Sequence, residues 1–170
     1  EFKLPTRGLI GFHGHFLRVI HGSGVMNSQF LDYEPLHGDV RSSRSGALVA
    51  SETGVAVTYG LNNAQGRGST FVDPGTPVYE GMIVGLQSRE DDMVVNVCRE
   101  KKLTNMRSST SDIAIRLTAT VIMSLEECLD FINPDELVEV TPTSLRLRKK
   151  VLPNEERYRL SRHRKVRVEA

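Results

Sequence analysis

From Gly46 onward the chain is a series of short apolar runs, each cut off by Gly, Pro or a charged turn, and this punctuation limits it to a strand-rich fold. GALVAS (46–51), VYEGMIVGLQS (78–88) and MVVNVC (93–98) have strand length and strand composition. Gly81 and Gly85 inside the second run mark bulges or places where another backbone comes close. Ile113, Ile115, Leu117, Ala119 and Val121 alternate strictly, as a half-buried strand would. LVEVTPTSLRLRKK (137–150) reads as a hairpin, with Leu145 and Leu147 inward and Arg146 and Arg148 outward, within reach of Glu136 and Glu139.

Helices are fewer. In VAVTYGLNNAQGRG (55–68) the alternation of Val55 and Val57 competes with the helical spacing of Val57, Leu61 and Ala64, and the closing Gly66 and Gly68 favour a short helix. Ser124 and Glu127 fit a capping box, followed by Leu125, Cys128, Leu129 and Ile132 as a buried stripe and by Asn133-Pro134 as the stop. Asn154 is placed to cap a basic helix with Glu155 and Glu156 in its first turn, where the helix dipole favours acid.

The first 36 residues read differently. Phe2 and Leu4 close a strand, Pro5 opens a helix, Leu9, Phe12, Phe16 and Val19 or Ile20 form its stripe, and Gly22 and Gly24 end it before a strand in VMNSQFLDY. Strand, helix, strand is not a domain alone. With no initiating Met and an apparent strand already under way, the chain is expected to be a piece of a longer protein. Residues 36–45, rich in Gly, Asp, Arg and Ser, read as a linker.

Composition narrows the chemistry. At 170 residues, 39% hydrophobic and 25% charged, the chain is globular in type. It has no apolar run of membrane-spanning length and no signal-peptide pattern. Cys98 and Cys128 are far apart and flanked by apolar residues, which suits buried thiols in a reducing cytoplasm. His13 and His15, two apart on a helix, point to nearly opposite faces and cannot share one ion. No G-x-S-x-G turn and no G-x-x-x-x-G-K-[ST] loop is present, so neither a nucleophile elbow nor a Walker-type phosphate site is expected.

Charge is what remains. The chain totals +1, yet residues 146–167 hold ten Lys and Arg against two Glu, a net of +8 that leaves about −7 for the rest. A second basic stretch, REKKLTNMRSSTSD (99–112), lies between two expected strands as an excursion longer than the roughly 12–15 residues that structureless loops seldom exceed unless functional. Lys and Arg for phosphates, with short hydroxyls and amides for sugars and base edges, are the groups that RNA contacts use. Arg99, Lys101, Lys102, Thr104, Asn105 and Arg107, with Arg148, Lys149 and Lys150 from the hairpin, are the candidate nucleic-acid-binding residues.

PTRGLIGF (5–12), GSGVMNSQFLDYE (22–34), VYEGMIVGLQSRE (78–90), KKLTNMRSS (101–109) and MSLEECLDFINPDELVEVTPTSLRLRKK (123–150) together resemble, in order, the C-terminal part of the BipA (TypA) translational GTPases, ribosome-associated relatives of elongation factor G. The resemblance implies an α+β chain. Residues 1–37 would be the second half of a ferredoxin-like domain and 38–152 a family-specific β-rich domain with short helices and a long basic loop. Residues 153–170 would form a basic helix or tail. It also implies that the loop carrying Lys101, Lys102, Leu103, Thr104, Asn105, Met106 and Arg107 reaches 23S rRNA near the ribosomal A site and the acceptor end of A-site tRNA. The family's GTP and Mg belong to an N-terminal domain outside this chain, so no cofactor and no catalysis are expected here. A monomer bound to the ribosome in the cytoplasm, away from membranes, is the corresponding expectation. The rival reading is a protein-interaction or spacer module touching ribosomal proteins or the GTPase domains. The chain departs from the family's pattern where GFHGHF (11–16) replaces GFRSEF, where a Pro-Pro pair near Thr118 and Thr120 is missing, and in the closing KVRVEA.

Overall fold

The computed structural model describes residues 1–9, 12–35, 45–101 and 115–168. Its core is a sheet of six strands: β1 (Ala47–Ala50), β3 (Gly68–Thr70), β5 (Met82–Gln87), β6 (Met93–Val95), β7 (Glu136–Val140) and β8 (Leu145–Lys149). The path β6-β1-β5-β8-β7 is antiparallel except for the parallel pair β1–β6, and β3 joins the C-terminal half of β5. β2 (Gly54–Val55) and β4 (Pro77–Val78) form a separate small antiparallel pair. Runs of strands separated by a few helices, on a mostly antiparallel sheet, make this an α+β fold.

Both faces of the sheet are covered, which explains why β1 is an unbroken apolar run instead of an alternating one. Leu48, Ala50, Met82 and Val84 face one layer with Leu61 and Ala64 of α2 (Thr58–Gln65). Ala47, Val49, Ile83 and Leu147 face the other with Cys128 of α3 (Leu125–Phe131). At Gly81 the backbone turns to φ +85°, and a Cβ there would lie 2.8 Å from Leu152 Cα; at Gly85 one would lie 2.3 Å from Ser69 O. The two glycines are therefore close-approach sites, as their place in the strand pattern suggests.

The capping box at α3 forms as the sequence requires. Ser124 Oγ accepts from Glu127 N at 3.3 Å, and Glu127 Oε2 accepts from Ser124 N at 2.9 Å. The stripe beneath it is rotated from the expected one. Cys128 is buried, and the Phe131 ring meets Phe71 edge-on at 5.4 Å, whereas Leu125 and Leu129 are 44% and 55% exposed. The aromatic contact at the helix end, which spacing on α3 alone does not reveal, sets which face turns inward.

Two strand expectations are corrected. Residues 115–123 form no strand; among the described residues the chain there is held by one backbone bond, Val121 N to Thr70 O at 2.9 Å, and by side chains described below. Ile113, the first residue of the expected alternation, lies outside the described residues. In residues 1–35 the described elements are a 3₁₀ turn (Thr6–Leu9) and α1 (Phe12–Val19), with no strand at Phe2–Leu4 or over 25–33. α1 ends where it should, with His21 and Gly22 at φ 52° and 75°. A strand needs a ladder partner, and Phe2 and Tyr33 are instead 93% and 90% exposed. An ion pair between Lys3 and Glu34 and an edge contact of Phe30 with Tyr33 at 5.1 Å tie this stretch locally. The expected linker falls almost wholly on residues 36–44, outside those described.

Candidate nucleic-acid interface

The described chain on either side of the basic stretch is held against α2. Val57 N, at the start of α2, donates to Val97 O at 2.9 Å. Gly60 lets the helix lie directly on this backbone: a Cβ there would sit 2.3 Å from Val97 O. At the other end of α2 the Gln65 amide pairs with one peptide unit like a strand neighbour. Its Nε2 donates to Thr118 O at 2.8 Å, and its Oε1 accepts from Thr118 N at 2.9 Å. The same Nε2 is 3.1 Å from Thr70 Oγ1, and Thr120 Oγ1 donates to Asp73 Oδ1 at 3.0 Å. Gln65 was missed by sequence reasoning, since a Gln at a helix end carries no local signal for a partner 53 residues away.

Arg99 and Lys101 are exposed at the departing end, just beyond buried Val97. Lys102, Thr104, Asn105 and Arg107 lie outside the described residues. The three hairpin cations have separate fates. Arg148 is half-buried, with Nε 2.6 Å from Glu139 Oε1, and the other oxygen of Glu139 accepts from Tyr79 OH at 2.6 Å. Burial, then that hydrogen bond, push the Tyr79 phenol well above its usual range, so it stays a neutral donor. Lys150 is exposed, and its Nζ donates to Pro134 O.

Lys149 is the correction. It is 2% exposed, and its ammonium is enclosed by Asp92, by Asp135 at 2.9 Å and by Glu136 at 2.8 Å. Burial works against its charge, but the three carboxylate hydrogen bonds outweigh it and raise its pKa. Such a cation is committed to the fold and does not face a phosphate. The reason is legible afterwards: strand alternation puts Lys149 on the face of Leu145 and Leu147, with Arg146 and Arg148 on the other.

Burial pushes both thiols up, Cys98 further influenced by Glu52 and Cys128 by Glu127, the reverse of an activated nucleophile. Among the described residues no three His, Cys, Asp or Glu are grouped to hold a metal, and no helix is long and apolar enough to cross a membrane.

The family model of the TypA/BipA C-terminal domain matches residues 45–154, from the chain just before β1 to the start of the last helix. The chain belongs to the BipA/TypA family. It is 51% identical over 149 residues to the large ribosomal subunit assembly factor BipA of Synechocystis, covering 88% of this chain and 25% of that protein. Against the Bacillus subtilis protein of the same description, identity is 47%, covering 97% of this chain and 27% of the relative. The Haemophilus influenzae BipA is 45% identical, with 95% and 26% covered. The chain thus spans about a quarter of the length of the BipA relatives it matches.

Proposed function

We propose that this chain is the ribosome-binding C-terminal part of a BipA-type translational GTPase, docking on the large subunit through the basic excursion that begins at Arg99. The observation that carries the reading is the way α2 fixes both ends of that excursion while Arg99 and Lys101 stand exposed at its root. A rigid root aims a long segment, and the sequence of that segment supplies Lys102, Thr104, Asn105 and Arg107. In this reading Arg99, Lys101, Lys102 and Arg107 neutralise phosphates of 23S rRNA near the A site, and Thr104 and Asn105 hydrogen-bond sugar or base edges of the rRNA or of A-site tRNA. Lys150, just after β8, adds an exposed cation, while Arg148 is held by Glu139. Lys149 supports the fold beneath them.

The relatives' description as large ribosomal subunit assembly factors supports the choice of partner. In this reading GTP and Mg belong to another part of the whole protein, and this segment acts as a non-catalytic, monomeric anchor in the cytoplasm. Residues 1–37 would complete a ferredoxin-like domain with chain upstream of them, 38–152 would be the anchor, and 153–170 a basic appendage. Co-sedimentation with purified large and small subunits tests the reading. It predicts that the chain pellets with the large subunit; equal recovery with both, or with neither, refutes it.

A further inference from the structure

α3 turns an apolar row and an acidic row outward, and its own domain uses neither. Leu125 and Leu129 stand one turn apart on the helix and are 44% and 55% exposed. Glu126 and Asp130 repeat that spacing in the adjacent row, both exposed and neither paired among the described residues. Ile122, just ahead of the helix, is 88% exposed. None of these three apolar side chains joins either core cluster. Ile122 is not a loose tip. Val121 N is bonded to Thr70 O at 2.9 Å on one side of it, and on the other the capping box holds Ser124. Single exposed apolar residues are ordinary, but three of them grouped on fixed backbone form a patch of the kind that partners cover.

The charge of the region states the chemistry of the cover. From Leu117 to Leu145 the sequence has six carboxylates and no Lys, Arg or His. Four of the six serve the fold: Glu127 accepts from Ser124 N, Asp135 and Glu136 hold Lys149, and Glu139 holds Arg148. Glu126 and Asp130 are the two left over, and both lie beside the leucine row. Solvent accounts for the acidic row but not for the apolar one, since a helix face that meets only water is polar. RNA phosphates and acidic lipid headgroups would meet carboxylates and methyl groups, and two copies of α3 face to face would set acid against acid. A cationic helix with an apolar row of its own satisfies both rows at once, leucine against apolar side chains and carboxylate against Lys or Arg.

We infer that the outward face of α3 is a docking site for a basic amphipathic helix of a protein partner, with Ile122, Leu125 and Leu129 as apolar anchors and Glu126 and Asp130 as charge partners. A seven-residue helix offers a small footprint, which places the contact in the transient class. The site is independent of the basic stretch at 99–112 and of the function proposed above.

The test titrates the isotopically labelled 170-residue chain with a synthetic helical peptide that carries one row of Leu beside one row of Lys, followed by amide and methyl NMR shifts. Saturable shifts centred on residues 122–130 are expected. Two control peptides, one with Glu in place of Lys and one with Ser in place of Leu, should bind at least about tenfold more weakly. Leu125→Ala/Leu129→Ala should weaken binding at least about fivefold while keeping the folded spectrum. Glu126→Lys/Asp130→Lys should reverse the preference, so that the Glu peptide binds better than the Lys peptide, an exchange that a purely structural role of α3 does not produce. Shifts centred elsewhere, equal binding of the Lys and Glu peptides, no saturation by millimolar peptide, or an unreversed preference in the charge-reversed variant would each overturn the inference. An RNA hairpin that shifts the same residues would overturn it in favour of nucleic acid. Concentration-dependent self-association of the chain that is lost in Leu125→Ala/Leu129→Ala would overturn it in favour of a second copy.

Discussion

Replacing Lys149 by Met should be among the most damaging single changes in the domain, although a basic residue at a strand end would ordinarily be a tolerant site. The side chain of Glu136 is fully buried, and that of Lys149 is 3% exposed. Removing the ammonium leaves a carboxylate in the core, a loss of about 3–5 kcal/mol for breaking a buried pair. Asp92 and Asp135 are 39% and 64% exposed, so solvent screens them and each adds no more than about 1 kcal/mol. For a chain of this size the sum corresponds to a fall in Tm of about 10 °C, measurable by circular dichroism or calorimetry. Glu136→Gln keeps an acceptor for Asn133 N, now at 2.9 Å, and removes the stranded charge. Added to Lys149→Met, it should restore half or more of the loss. The pH dependence follows from the raised pKa of Lys149. The stabilisation is fully present below its unfolded value of 10.5 and disappears as pH rises through the higher folded value, so wild type and Lys149→Met should converge only in strong alkali. A cost below about 1 kcal/mol for Lys149→Met, or a double variant no more stable than the single one, would refute this account of the cage.

Four further changes probe the frame. Gly60→Ala drives a Cβ to 2.3 Å from Val97 O and should cost about 1–3 kcal/mol by overpacking, read from urea unfolding. Ser124→Ala removes one half of the α3 capping box and should cost about 1 kcal/mol in the same assay. Phe131→Ala, which loses the contact with Phe71, should cost about 3–5 kcal/mol, while Leu129→Ala on the exposed face should stay within about 0.5 kcal/mol. Equal effects at 129 and 131 would contradict the observed rotation of α3.

The features legible in the sequence are those whose cause is local. The capping box of Ser124 and Glu127, the stop at Asn133-Pro134, the hairpin of β7 and β8 and the helical reading of 58–65 each depend on residues within one turn or one strand pair. Features that depend on a distant partner were misread. Residues 115–121 alternate like a strand, but the β3 edge offers them one backbone bond and Gln65 takes the place of a ladder. Leu125 and Leu129 lost the inner face of α3 to an aromatic pair formed across to Phe71. Residues 25–33 have strand composition without a ladder partner among the described residues. Of the nine candidate site residues, charge alone could not separate exposed Arg99, Lys101 and Lys150 from buried Lys149, because three carboxylates from two other parts of the chain decide that difference.

The central claim is that the excursion beginning at Arg99 anchors the chain to the large ribosomal subunit by phosphate contacts. The most direct test is the affinity of the chain for large subunits across a salt series, beside the Lys101→Ala/Lys102→Ala/Arg107→Ala variant. The account predicts steep salt dependence, with the variant weaker and its slope of log K against log salt flatter by about 2–3. Equal affinity and equal slope for the two proteins would contradict it and move the contact to a protein-facing surface or to the last helix.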